Sequence, residues 1–123
     1  MRPDQGDAAY LWDMRELCRE LLEIAGGATH EDMLADLTLR RALERTTELI
    51  GEAAGRVSPR FKSQHAEIPW SGIIAQRNVL AHQYGEIDYH RIWRVITTDV
   101  PELLRNLEPL IPSRPRRRTR NRR

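Results

Sequence analysis

Residues 69–88 read PWSGIIAQRNVLAHQYGEID, and the apolar pattern of this stretch turns polar halfway along. Pro69 suits the first turn of a helix, where its missing N–H has no partner to lose. From Trp70 onward, residues three, four and seven positions apart share one helix face. That face is apolar at first, but Arg77 and Tyr84 then occupy positions in its seam. The stretch therefore predicts an amphipathic helix with a cation and a phenol where a core or a partner should lie.

Two earlier segments also carry apolar residues at helical spacing. The first predicts a helix over about residues 7–25, which Gly26 ends. The second begins at Thr29, a favourable N-cap. Its near-heptad apolar pattern predicts one continuous helix to about Val57.

The remainder of the chain continues the helical pattern. Ser58 and Pro59 predict a short helix, and Asp88 is placed to cap a last long helix. Pro101 lies inside that last pattern and predicts a kink or a break, because proline cannot donate the helical hydrogen bond. No strand alternation occurs. The sequence therefore predicts an all-α fold, an antiparallel bundle of about four to five helices over residues 1–111.

The composition is that of an ordinary soluble globular protein, with 40% hydrophobic and 31% charged residues. Its 123 residues suggest one domain. No apolar run approaches the roughly 18 residues that a membrane helix needs, and the first residues lack the apolar core of a secretion signal. The single cysteine, Cys18, permits no intrachain disulfide and falls in the apolar pattern of the first helix. We expect a cytoplasmic protein without membrane association, in which Cys18 has a packing role.

Charge is distributed unevenly along the chain. The net charge is +2, yet the last ten residues, RPRRRTRNRR, hold seven arginines and no acid. Without them, 13 basic and 18 acidic side chains remain, a net charge of −5. A basic block with no apolar residue predicts a disordered tail over residues 112–123. Two interpretations of the tail stay open: a solvated segment without function, or a contact with nucleic acid or an acidic partner.

The polar residues of the third predicted helix suit phosphate-ester chemistry. His82 can exchange a proton near neutral pH, and Arg77 can hold phosphate oxygens and stabilise the charge that builds on them. Asn78 lies four positions before His82 and shares its face. A purely structural interpretation remains, in which Arg77 forms a buried ion pair with a carboxylate of the second helix. The candidate carboxylates follow one another at four-residue spacing: Glu44, Glu48 and Glu52.

Arg77 and His82 do not converge on one point within a single helix. They are five positions apart, about 140° around an ideal helix. A twofold pairing of this helix with its copy would bring two sets of these residues together across a cleft. We therefore expect a homodimer or a higher homo-oligomer. Its contact would be the apolar stripe, Trp70, Ile73, Ile74 and Leu80.

Other chemistries lack their sequence signatures. The four histidines show no zinc-type spacing, and only one cysteine accompanies them. The sequence contains no glycine-rich phosphate loop, dinucleotide fingerprint or nucleophile elbow. We therefore expect neither a metal site nor a bound cofactor.

The succession arginine, asparagine, three residues, histidine, one residue, tyrosine resembles the motif of HEPN-domain ribonucleases. The surrounding sequence is most similar to the HepT toxin family, whose partner is a minimal nucleotidyltransferase antitoxin called MntA. Two stretches carry the resemblance, EIPWSGIIAQRNVLAHQYGEIDYHRIWRVITTDVPELL at residues 67–104 and LERTTELIGEAAGRVS at residues 43–58. The resemblance covers about residues 8–110, and the arginine-rich tail is not part of the family's motif.

The resemblance implies a HEPN-like helical subunit that dimerises around the motif helix and cleaves RNA without a metal ion. It implies that His82 acts as a base on the ribose 2′-hydroxyl, that Arg77 stabilises the transition state and that Asn78 orients the substrate or the histidine. It also implies that an MntA-like partner transfers AMP from ATP to Tyr84 and so blocks the site. The rival class of function is a non-catalytic helical subunit that binds a nucleotide or a partner and docks onto RNA or an acidic protein.

Overall fold

The computed structural model describes residues 4–75 and 89–112, and every regular element within those ranges is a helix, which confirms the predicted all-α fold. The predicted cap Asp88 and the predicted tail from residue 113 onward lie outside them. None of the helices described is both long and apolar enough to cross a membrane. In chain order the elements are α1 (Gln5–Ala25), α2 (His30–Ala35), α3 (Leu37–Arg56), α4 (Pro59–Gln64), α5 (helical over 70–75, where the first range ends), α6 (Tyr89–Arg94), a π-helical turn (Val95–Asp99), α7 (Val100–Leu107) and a 3₁₀ turn (Glu108–Leu110).

Both ends of α1 have residues that suit helix termini. The Asp4 carboxylate accepts a hydrogen bond from the Asp7 backbone N–H at 2.7 Å, which satisfies one of the free donors of the first turn. Gly26 follows the last helical residue with a φ of 47°, in the left-handed region that favours glycine. Its N–H donates to the Leu22 carbonyl at 2.9 Å. The predicted helix end at Gly26 is confirmed.

The prediction of one continuous helix from Thr29 to Val57 is wrong, since the chain breaks at Asp36 into α2 and α3. Asp36 has extended backbone angles, φ −110° and ψ 104°, and its N–H donates to the Asp32 carbonyl at the end of α2. Its carboxylate accepts from the Leu39 N–H at 3.1 Å and caps α3. Aspartate competes for backbone donors better than it supports a helix interior, so this residue ends one helix and starts the next. The predicted cap at Thr29 is confirmed, in a complete capping box.

α1 and α3 form the central pair of the bundle. The buried apolar residues of α1 follow the predicted face: Leu11, Met14, Cys18, Leu21 and Ala25. Those of α3 are Leu43, Ile50, Ala53 and Ala54. Thr46 and Thr47 lie buried among them and donate their hydroxyls to the carbonyls of Ala42 and Leu43, each at 2.8 Å. Both hydroxyls are therefore paired inside the core, as buried polar groups require.

A buried carboxylate joins the start of α1 to the end of α3. Asp7 is 6% exposed and accepts two hydrogen bonds from Ser58, one from the backbone N–H at 2.8 Å and one from the hydroxyl at 2.6 Å. The Ser58 hydroxyl oxygen accepts in turn from the Phe61 N–H at 3.2 Å and caps α4, as predicted. Because the beginning of α1 meets the chain just after α3, these two helices are antiparallel.

α6 and α7 form one helical run with a π-helical turn, Val95–Asp99, inserted before Pro101. The Val100 N–H donates to the Val95 carbonyl, five residues earlier instead of four. Pro101 has no N–H to donate, and its ring would crowd the carbonyl four residues before it. The predicted break is thus a local widening that accommodates the proline. The apolar face stays buried through it, at Ile92, Val95, Ile96, Val100, Leu103 and Leu107.

Cys18 is fully buried in α1, which confirms its predicted packing role. Burial disfavours the charged thiolate and raises the pKa of Cys18 to about 12. The thiol therefore stays neutral at physiological pH and behaves as a small apolar side chain.

Replacing Asp7 with alanine is expected to lower the free energy of unfolding by about 1.5–3 kcal/mol, because both hydrogen bonds from Ser58 lose a charged acceptor. Ser58→Ala should cost about 1–2 kcal/mol through the lost helix cap. The double variant should cost less than the sum, since both changes break the same contact. Urea denaturation followed by circular dichroism measures all three values. Asp13→Ala removes an exposed carboxylate of α1 and is the control; an equal loss there would contradict a specific role for Asp7.

Candidate functional site

The four residues of the predicted site, Arg77, Asn78, His82 and Tyr84, lie in the stretch 76–88, outside the described residues. The structure describes the elements on both sides of that stretch, α5 before it and α6 after it. The contacts of these two helices fix the positions of the residues that flank the motif stretch.

α5 starts from a cluster of buried rings. Trp70 is 7% exposed, and its Nε1–H donates to the His65 carbonyl at 3.0 Å. The buried Phe61 ring lies edge-on to Trp70, with 6.3 Å between centroids, and 4.3 Å from the His65 ring on its own helix end. Such ring pairs stabilise beyond the area that they bury. The start of α5 is therefore fixed to α4.

The predicted dimer stripe divides between the interior and the surface of the subunit. Trp70 belongs to the subunit's own core, so its ring is not available to a second copy. Ile73 and Ile74 are half-buried and pack partly against that core. Leu80 lies outside the described residues. On α5 itself, the apolar surface left for a partner is therefore smaller than the stripe predicts.

α6 begins at Tyr89, which two arginines of α3 contact. The Arg40 guanidinium lies 5.2 Å from the centroid of the Tyr89 ring, and its Nη1 donates to the Leu34 carbonyl. Arg41 Nη1 donates to the Tyr89 hydroxyl at 3.4 Å, a long hydrogen bond, and pairs with Glu44 at 3.0 Å. These contacts, the Tyr89 hydroxyl first and then the Glu44 charge, raise the pKa of Arg41 above its ordinary value. Tyr89, the first described residue after the motif stretch, is therefore contacted by two cations.

Three more rings extend this group along α2 and α6. His30, the first residue of α2, lies 5.5 Å from His90 and 6.1 Å from Trp93, measured between ring centroids. Its Nε2 is buried and has no hydrogen-bond partner among the residues described. His90 is exposed and Trp93 is half-buried. α6 therefore presents ring surface beside the arginines of α3.

The carboxylates predicted as ion-pair partners of the motif arginine differ in their surroundings. Glu44 and Glu48 pair with Arg41 and Arg45, three positions earlier on α3, each at 3.0 Å. Glu52 makes no ion pair within the described ranges and lines a groove between α1 and α3. Since the arginine itself lies outside those ranges, the buried ion pair stays a prediction.

Two concave surfaces of the described part are rich in carboxylates. The groove between α1 and α3 has a volume of ≈ 570 Å³, and its five acids, Asp13, Glu16, Glu20, Glu23 and Glu52, outnumber its two arginines, Arg19 and Arg56. A cleft of ≈ 380 Å³ beside α5 contains Glu67, Asp99 and Glu102. Like charges repel, so neither surface suits an anionic ligand. No group of three or more histidine, cysteine, aspartate or glutamate side chains in the described part is arranged to hold a metal ion.

The helical architecture and the motif between α5 and α6 define a HEPN-like all-α subunit. Residues 14–110 match the model of a family described as "Ribonuclease HepT-like". The chain belongs to this HepT-like ribonuclease family, which confirms the resemblance seen in the sequence.

Three similar proteins illustrate the family. The "Putative RNase TTE0752" of Caldanaerobacter subterraneus subsp. tengcongensis is 33% identical over 102 residues, which cover 83% of this chain and 91% of that protein. The "Probable ribonuclease HepT" of Thermococcus cleftensis is 34% identical over 101 residues, 82% of this chain and 92% of that protein. The "Putative RNase MJ1380" of Methanocaldococcus jannaschii is 29% identical over 100 residues, which cover 81% of this chain and 92% of that protein. No solved structure shows significant similarity to this chain.

Sequence spacing misses the group around Tyr89, because its members come from three separate helices. Arg40 and Arg41 belong to α3, and His30 belongs to α2. The one local signal is the run DYHRIWR at residues 88–94, which places three rings and two arginines directly after the motif. A run of this kind is typical of both helix packing and nucleic-acid contact, so the fold is needed to interpret it.

Trp70→Phe is expected to lower the free energy of unfolding by about 1 kcal/mol, because the ring stays but its hydrogen bond to His65 is lost. Trp70→Ala should cost about 3–5 kcal/mol, because it also leaves a cavity beside Phe61. Denaturant unfolding of both variants measures the difference. Similar small losses for the two would contradict the role of this ring as the anchor of α5.

Proposed function

We propose that this HepT-like chain is a metal-independent endoribonuclease that cleaves RNA by attack of the ribose 2′-hydroxyl on the adjacent phosphate. One observation carries the proposal: Arg77, Asn78, His82 and Tyr84 stand in the family's order within a chain that matches the family over residues 14–110. The described scaffold supports it, since α5 and α6 anchor both ends of the motif stretch.

The reaction needs a base and a cation, and the motif contains both. His82 takes the proton of the 2′-hydroxyl, and the oxygen then attacks phosphorus. The bond from phosphorus to the 5′-oxygen breaks, and that oxygen takes up a proton, which leaves a 2′,3′-cyclic phosphate on one product. Arg77 stabilises the extra negative charge on the pentacovalent phosphorus. Asn78 orients the substrate or the imidazole.

A homodimer or higher homo-oligomer completes the proposed site. Within one subunit, Arg77 and His82 point about 140° apart on an ideal helix. Twofold pairing of the motif helices sets two pairs of these residues around one cleft. The half-buried Ile73 and Ile74 on α5 support such a contact, because they keep apolar surface uncovered within the subunit.

The proposed biological role is the toxin of a cytoplasmic toxin–antitoxin pair. The antitoxin is an MntA-like nucleotidyltransferase that transfers AMP from ATP to Tyr84, with release of pyrophosphate. The phenol oxygen then carries a phosphodiester beside Arg77, in the place that an RNA phosphate would occupy. Modification therefore blocks the site by charge and by bulk.

His82→Ala and Arg77→Ala should each reduce RNA cleavage by at least about 100-fold, the usual contribution of a general base or of a charge-stabilising donor. The double variant should be hardly worse, because the two residues act in one step. Single-turnover cleavage of a labelled RNA in EDTA gives the rates, and Arg105→Ala, an exposed cation of α7, is the control. Products with 5′-phosphate ends, or activity that vanishes in EDTA and returns with magnesium, would refute the mechanism.

The same variants distinguish the enzyme from a non-catalytic binding subunit. Growth arrest in cells that express this chain alone should disappear with His82→Ala if cleavage is the function. Arrest that persists in the variant would favour the binding subunit.

Tyr84→Phe keeps the ring and removes only the acceptor hydroxyl. We expect this variant to cut RNA, yet to resist inhibition by the partner nucleotidyltransferase and ATP. Tyr10→Phe changes another tyrosine, and the partner with ATP should inhibit its RNA cleavage as it inhibits that of the wild type. Mass spectrometry of the peptide that contains residue 84 should show an added AMP group when that residue is tyrosine and none when it is phenylalanine. If the partner inhibits RNA cleavage by Tyr84→Phe even without ATP, it acts by covering the site and not through the Tyr84 hydroxyl.

A further inference from the structure

Six side chains on α2, α3 and α6 form a group that the proposed cleavage reaction does not use. We name it the ring–guanidinium cluster, and its members are His30, Arg40, Arg41, Tyr89, His90 and Trp93. It combines two cations with four rings, the residue types that bind single-stranded nucleic acid by phosphate contact and base stacking.

The ion pair of Arg41 leaves its cation on the outside. The Arg41 side chain is 58% exposed, whereas the side chain of its partner Glu44 is 14% exposed. The guanidinium is therefore the solvent-exposed member of the ion pair. It has more N–H donors than its contacts with the Glu44 carboxylate and the Tyr89 hydroxyl use. An anion that approaches α3 here meets the arginine first.

His90 supplies an exposed ring next along α6 to Tyr89, the residue that Arg41 contacts. It follows Tyr89 on α6, and its edge contact with His30, at an interplanar angle of 69°, leaves the ring accessible. The Arg40 guanidinium lies over the Tyr89 ring, and Arg40 also donates a hydrogen bond to the Leu34 carbonyl. The cluster is thus pre-arranged by contacts within the fold, which lowers the entropy lost when a ligand binds.

The cluster is close to the motif by chain length alone. Tyr89 follows Tyr84 by five residues, which span at most about 18 Å when fully extended. One RNA strand can therefore contact the motif and the cluster together. By contrast, the groove between α1 and α3 and the cleft beside α5 are acidic and repel the same strand.

We propose that the ring–guanidinium cluster is a binding subsite for the single-stranded RNA substrate, in which Arg41 holds a phosphate and His90 stacks on a base. The proposal rests on the proposed ribonuclease function, which it extends from the cleaved bond to the flanking nucleotides. Arg41 and His90 act here in binding and positioning, and not in the chemical step.

α3 offers a matched control for Arg41. Arg45 forms the same kind of ion pair three positions before a glutamate, at the same distance of 3.0 Å, and its side chain is 60% exposed. Of these two arginines, Arg41 is the one that contacts the cluster within the described part of the chain, through the Tyr89 hydroxyl. Arg41→Gln and Arg45→Gln therefore remove the same charge and the same kind of ion pair, and they differ in their relation to the cluster.

The test measures binding of a fluorescein-labelled single-stranded RNA by the full chain with His82→Ala, which prevents cleavage during the titration. Arg41→Gln should weaken binding by about tenfold and Arg45→Gln by less than about twofold. Loss of one phosphate contact should also reduce the salt slope of log K by about 0.7. His90→Leu should weaken binding by about fivefold or more, whereas His90→Phe, which keeps a stacking ring, should bind nearly as well as the parent.

Equal effects of the two arginine changes would overturn the subsite, since general electrostatic attraction would then explain them. The subsite also fails if the His82→Ala chain binds no RNA. If wild-type chain cleaves RNA and Arg41→Gln behaves like Arg45→Gln, the ribonuclease function stands and the subsite falls. If the two arginine variants differ as expected but wild-type chain never cleaves RNA, the subsite stands and the catalytic proposal falls.

Discussion

The buried contact between Asp7 and Ser58 sets the positions of the elements that lead into the motif stretch. A carboxylate inside a protein is costly unless hydrogen bonds replace its water, and Ser58 supplies two. The same serine caps α4, whose Phe61 ring packs edge-on to Trp70 at the start of α5. One series of contacts therefore connects the pairing of α1 with α3 to the start of α5.

The charges of α3 separate two surfaces of opposite character. Its first turns carry Arg40 and Arg41, which contact Tyr89, whereas its later turns place Glu52 in the acidic groove against α1. Arg41 and Glu52 are eleven positions apart, about 16 Å along a helix. A phosphate backbone is attracted at one end of α3 and repelled at the other, and the attracting end is the one that contacts α6.

Local hydrogen bonding explains where helix prediction succeeded and where it failed. The predictions at Gly26 and Thr29 are confirmed because the roles of these residues depend on their own backbone and on residues within one turn. Asp36 was missed, because the apolar period runs across it without a gap while its carboxylate captures the N–H of Leu39. At Pro101 the break was predicted, but its form, a π turn in an otherwise continuous helical run, depended on the burial of the residues around it.

The sequence by itself determined the all-α class, the family and the order of the motif residues, since helical periodicity and motif spacing are properties of neighbours along the chain. Only the tertiary structure decided that Asp7 meets Ser58 across 51 positions and that Arg41 meets Tyr89 across 48. It also decided that Trp70 belongs to the subunit's own core. Such pairings follow from how apolar faces pack in three dimensions, and periodicity states which face is buried but not what lies against it.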